Sequence, residues 1–166
     1  MRKVVMACLL VALLAACSDE KRARDAFRSA MSDSDRPVAE LRADLEALIE
    51  RWPESEAARR AAEELESLDA LAEATARGLS LRAWDAVRSV AQAAERFRLR
   101  HGRFPKDVRE LIPRYIEDRV ADPWGGEVLY VASGRGYKVI SYGSDGMPGG
   151  TGDAADVMVD SQTVQR

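Results

Sequence analysis

The chain has 166 residues, 46% of them hydrophobic and 32% charged, with 25 basic and 28 acidic side chains and one histidine. That length suits a domain with a real core rather than a stapled mini-protein. A formal net charge of −3 excludes a general nucleic-acid binder.

The chain opens Met1-Arg2-Lys3 and continues in an apolar run from Val4 to Ala16, thirteen residues, short of the roughly 20 a spanning helix needs. A basic start, a short apolar core and small residues before a cut site predict a secretory signal over 1–16. Leu14-Ala15-Ala16-Cys17 resembles the lipobox of bacterial lipoproteins; an ordinary signal with an incidental cysteine is the alternative. The resemblance implies lipid on the Cys17 thiol, cleavage before it, acylation of the new amino terminus, and a chain anchored to the membrane facing the periplasm. Ser18 after it is similar to the pattern that directs such proteins to the outer membrane. Cys8 would leave with the signal, so Cys17 would stand alone and no intramolecular disulfide could form.

Residues 18–36 are charged and serine-rich, and read with Cys17 as a tether (17–36) that includes a short helix near Arg24–Met31. Asp35 is placed to cap a helix whose early position is Pro37. Val38, Leu41, Leu45, Leu48 and Trp52 then recur at helical spacing. Trp52-Pro53 breaks that helix. A second helix is expected from Pro53, with Glu54 and Glu56 in its first turn and a stripe of Ala58, Ala61, Leu65, Leu68 and Ala72. Residues 37–77 therefore read as an antiparallel helical hairpin, or else as a charged rod that docks another protein. Gly78 punctuates, Ser80 can cap a third helix, and Leu81, Trp84, Val87, Val90, Ala94 and Phe97 form its stripe up to Gly102.

Residues 78–121 carry 10 basic and 6 acidic groups, against 10 and 16 over 17–77. Arg96, Arg98, Arg100 and Arg103 make either a basic patch for an acidic lipid or partner, or cations that complement a helix end. His101 in that last turn suits the helix terminus better than catalysis.

From Asp122 onward the pattern changes period. Asp122-Pro123 favours a turn, Trp124 supplies apolar cover for a small sheet, and Gly125-Gly126 permits a tight return. Val128–Val131 and Tyr137–Tyr142 read as strands joined through Ser133–Gly136; so small a sheet should lie on the third helix. Five glycines within 143–152 exclude a helix there. The acids of that loop, Asp145, Asp153 and Asp156, are hard oxygen donors suited to calcium. It is no EF-hand, since Gly146 follows Asp145 at once and no glutamate closes the loop.

From Ser80 to about Val159 the order of features is similar to the periplasmic head of the major pseudopilin of type II secretion systems. The residues that carry the resemblance are Gly102-Arg103-Phe104-Pro105, the leucine-rich turn Val108–Ile112, Asp122-Pro123-Trp124-Gly125, the Tyr130 strand, Tyr137 to Gly143, and the loop from Asp145 to Asp156. Behind the hairpin read from periodicity, which has no counterpart in that family, it implies an α+β fold with a head spanning 78–166: a pilin-like long helix packed on a small antiparallel sheet with a calcium-type terminal loop. It further implies one calcium ion held by Asp145 and by Asp153 or Asp156, with the main-chain carbonyl of Tyr142 among the remaining ligands. The family's prepilin-peptidase site and long apolar assembly helix have no match here, so packing into a pseudopilus by that helix is not expected.

The reading is then a non-enzymatic envelope lipoprotein, an accessory or adaptor of a type II secretion or pilus-like system, with a secretion or pilus component as protein partner. A stand-alone calcium-stabilised periplasmic binding module is the alternative. An enzyme is disfavoured: there is no Ser/His/Asp set and no reactive thiol.

Overall fold

The computed structural model describes residues 17–134 and 136–162; the signal reading of 1–16, with Cys8, lies outside them. Two compact units divide at Ala72 and Glu73. No helix among the described residues is long and apolar enough to cross a membrane.

The first unit is helical. Helix α1 covers residues 17–30, α2 is Val38–Arg51, and α3 runs Glu56–His101, its first residues belonging here. Their core is Ala23, Phe27 and Ala30 from α1, Leu45 and Leu48 from α2, and Ala57, Ala58 and Ala61 from α3. Reading 17–36 as a tether thus understates it. Three apolar groups spaced by four and three residues suffice to seat a helix when its partner presents alanines that allow close approach. The Phe27 ring is covered by the guanidinium of Arg60, 4.8 Å from its centroid.

Details of the caps differ from the sequence reading. Pro37, not Asp35, holds the cap position of α2, and no side chain bonds there; the Asp35 N–H donates to the Asp33 carboxylate instead. Ser55 starts α3, its buried hydroxyl accepting the Ala58 N–H at 3.0 Å. Val38 stays 57% exposed, and the alanine stripe of α3 fades after Leu65.

Helix α3 passes through Gly78 without a break, where a stop and a new cap at Ser80 were expected. An interior glycine costs about 1 kcal/mol against alanine, too little to end a helix rich in alanine, leucine and arginine on both sides. The helix stops at Gly102, whose φ of 70° lets its N–H reach the Arg98 carbonyl.

In the second unit the remainder of α3 carries a three-stranded antiparallel sheet in the order β1-β2-β3: β1 Leu129–Ser133, β2 Gly136–Ser141, β3 Val157–Asp160. Strand β2 is central, pairing Leu129 with Ile140 on one side and Met158 with Ile140 on the other. Alternation puts Tyr137, Val139, Val157 and Val159 inward, against Val87, Val90, Ala91, Ala94 and Phe97 of α3. Trp124 packs partly buried against the same core. Leu81 and Trp84, the first members of the anticipated stripe, are 66% and 41% exposed, so the face of α3 buried in this unit begins at Ala83. The strand β3 was not anticipated, although Val157-Met158-Val159 alternates as a strand should.

Two tyrosines tie sheet to helix. The Tyr137 hydroxyl donates to the Ala91 carbonyl and to Glu95, each at 3.3 Å, and Tyr130 donates to the Pro105 carbonyl at 2.9 Å. Burial, with the Glu95 carboxylate close by, pushes the Tyr137 phenol well above the usual tyrosine range.

Candidate functional site

The stretch 122–157 folds around one buried carboxylate. Asp122 is 6% exposed. Its Oδ1 accepts the N–H groups of Trp124 at 3.1 Å and Gly126 at 2.8 Å, closing the Asp-Pro-Trp-Gly turn as an Asx turn closes. Its Oδ2 accepts the hydroxyl of fully buried Ser141 at 2.7 Å. The Ser141 hydroxyl in turn accepts the Gly143 N–H at 3.3 Å. Thus the first turn, the end of β2 and the start of the terminal loop share one hydrogen-bonded chain. Charge-assisted bonds to a buried carboxylate are among the stronger neutral-pH contacts a fold can make. Sequence reasoning treated Asp122 as a turn former only and passed over Ser141. A polar side chain in the inward register of β2, two residues after Val139, was the signal.

The terminal loop is two short 3-10 turns, Gly143–Asp145 and Gly152–Ala154, folded against each other. Gly143 has φ 67°, and a Cβ there would stand 2.6 Å from the Asp153 carbonyl oxygen. Only a residue without a side chain lets the two turns meet. The candidate ligands are spread along this loop. Asp145 is exposed and its Oδ1 accepts the Met147 N–H at 3.0 Å. Asp156 is exposed and its Oδ1 accepts the Gly149 N–H at 3.0 Å, bridging the loop's middle to its end. Asp153 is half-buried in the second turn, and Tyr142 precedes the first.

No group of three or more His, Cys, Asp or Glu side chains converges on a common point among the described residues. A cation here would therefore be held by one or two carboxylates with main-chain carbonyls. Calcium accepts such a set, taking six to eight oxygens in adaptable geometry, so the donors present are of the right chemistry. Cys17, the anticipated lipid site, is exposed and free at the first described position of α1. His101 is taken up locally: its ring stacks on Phe97 with centroids 4.2 Å apart, and Nε2 lies 3.3 Å from the Tyr115 hydroxyl.

A model of the family described as type II secretion system (T2SS), protein G, matches residues 70–160. No curated protein matches the chain. The matched span takes in most of α3, the Asp122 network, all three strands and the terminal loop.

Proposed function

The chain belongs to the type II secretion system protein G family, and from that premise we propose that it is a non-enzymatic envelope lipoprotein acting as an accessory or adaptor of a type II secretion or related pilus-like machine. The observation that carries this reading is the coverage of the match, which includes the whole sheet and its supporting helix. The helices α1 and α2 lie outside the matched span, so the chain joins a family head to a second helical unit. An added folded unit suits a linking role better than a repeat of the family's own.

In this reading the terminal loop binds one calcium ion through Asp145, through Asp153 or Asp156, and through main-chain carbonyls including that of Tyr142. The ion's charge would offset the carboxylates and hold the two 3-10 turns together, leaving the head's surface to make contacts. Lipid on Cys17 would anchor the chain in the outer membrane, facing the periplasm.

The test is affinity purification of the tagged full chain from detergent-solubilised envelopes of its own host, in calcium, followed by mass spectrometry. Enrichment of type II secretion or pilus components is expected. Enrichment of none would overturn the adaptor role and leave a calcium-stabilised periplasmic module.

A further inference from the structure

Where α3 ends, the second unit carries a cleft of about 540 Å³ lined by Arg98, Arg103 and Lys106, with Phe104 and Pro105 between them. We propose that this cleft is a docking site for an acidic segment of a partner protein, taken up in extended form. It stands on the cleft's own geometry and does not require the secretion reading.

Among the described residues, three cations line the cleft and no carboxylate does. The acids nearby hold the arginines without lining the cleft. Glu95 bonds the Nε of Arg98 at 2.8 Å and is itself bonded by the buried Tyr137 hydroxyl. Glu110 bonds Nη1 of Arg103 at 2.8 Å, and the same nitrogen donates to the Phe104 carbonyl at 3.1 Å. The Arg103 guanidinium also lies 5.1 Å from the Phe97 ring centroid, and that of Arg98 lies 5.5 Å from Phe104. A guanidinium has five N–H donors in a rigid fork, so each arginine keeps donors for an incoming carboxylate. Both are already fixed, which lowers the entropy lost when a ligand binds. Lys106 is exposed and contributes a third charge.

The surrounding segment strengthens the field: residues 78–121 hold 10 basic and 6 acidic groups. The same cleft is lined by Phe104, Pro105 and Ala132, so it offers apolar contact beside its charges, and at about 540 Å³ it has room for a peptide segment. An anionic headgroup would meet the cations alone, whereas a protein segment also covers Phe104, Pro105 and Ala132. That geometry favours a protein segment over anionic headgroups.

The experiment measures fluorescence anisotropy of a labelled peptide of alternating glutamate and leucine on the full chain in neutral-detergent micelles, at about 0.15 M ionic strength. The matched glutamine–leucine peptide and phosphatidylglycerol doped into the micelles are the other arms. Saturable binding of the glutamate peptide is expected, weakened about threefold in Lys106→Gln, as for one exposed charge contact. The Arg98→Gln/Arg103→Gln pair should weaken it tenfold or more. Arg82→Gln/Arg88→Gln, exposed on α3 outside the cleft, should leave it unchanged. Lys106→Gln keeps the test valid if the arginine pair unfolds, which a melting curve reports. Equal binding of the glutamine peptide, no saturable binding, or equal losses in cleft and control variants would each overturn the proposal. Displacement of the peptide by phosphatidylglycerol would reassign the cleft to a lipid surface.

Discussion

Asp122 accepts two main-chain N–H groups and one hydroxyl inside a nearly closed environment, and this gives it more influence than its place in a turn suggests. Removing it leaves Ser141 without an acceptor for its buried hydroxyl and frees two amides of a glycine-rich turn. Orphaned buried donors cost about 1–3 kcal/mol each. Asp122→Ala is therefore expected to destabilise the second unit by about 3 kcal/mol, read as a lower urea midpoint. Ser141→Ala should cost about 1 kcal/mol, because Asp122 keeps its two amide donors. Equal, small effects from both substitutions would show that the turn is held by its backbone alone. At this scale the sequence was partly legible. Asp122-Pro123 announces a turn through local chemistry, whereas the bond from Asp122 to Ser141 joins residues 19 positions apart and depends on strand register.

The elements divide by how their glycines are used. Gly78 lies inside α3, and nothing stands within 4 Å of a Cβ placed there. Gly78→Ala should raise stability by about 0.5–1 kcal/mol, by lowering the entropy of the unfolded chain and restoring helix propensity. Gly143 has the opposite setting, with positive φ and backbone of the facing turn 2.6 Å from the Cβ position. Gly143→Ala should cost at least about 2 kcal/mol, since the facing main chain would have to move. Both differences can be read from denaturant midpoints; the same sign for both would contradict this account. Periodicity located α2, the buried run of α3 from Val87 to Phe97, and strands β1 and β2. At α1 the sequence suggested a short helix near Arg24–Met31 within a tether but not its place in a core, because charge dominates there and few apolar groups, chiefly Ala23, Phe27 and Ala30, point inward. Periodicity failed at β3, whose four residues follow a loop dense in glycine and give too short a pattern to stand out.

For the whole molecule, the two units differ in what holds them. The first closes on alanine, leucine and one phenylalanine; the second has a mixed helix–sheet core and, before β3, a loop in which Asp145 and Asp156 accept amides of the loop itself. Calcium binding to that loop should raise stability by about 2.7 kcal/mol at a hundredfold excess over the dissociation constant. Melting of the full chain should accordingly shift upward in calcium relative to chelator, with the shift lost in Asp145→Ala and reduced in Asp153→Ala. Identical curves for wild type and both variants, with and without the ion, would remove the metal from the proposed function. The amino-acid sequence by itself determined the class of fold, the helix-on-sheet order of the second unit and the oxygen-donor character of its loop, because hydrophobic period, turn residues and side-chain chemistry are local properties. Only the tertiary structure decided that α1 is part of a core, that α3 is one helix, that Asp122 bonds Ser141, and that Arg98 and Arg103 line one cleft while their acids stay outside it. Each of those depends on which distant residues meet, and burial and register settle that when the chain packs.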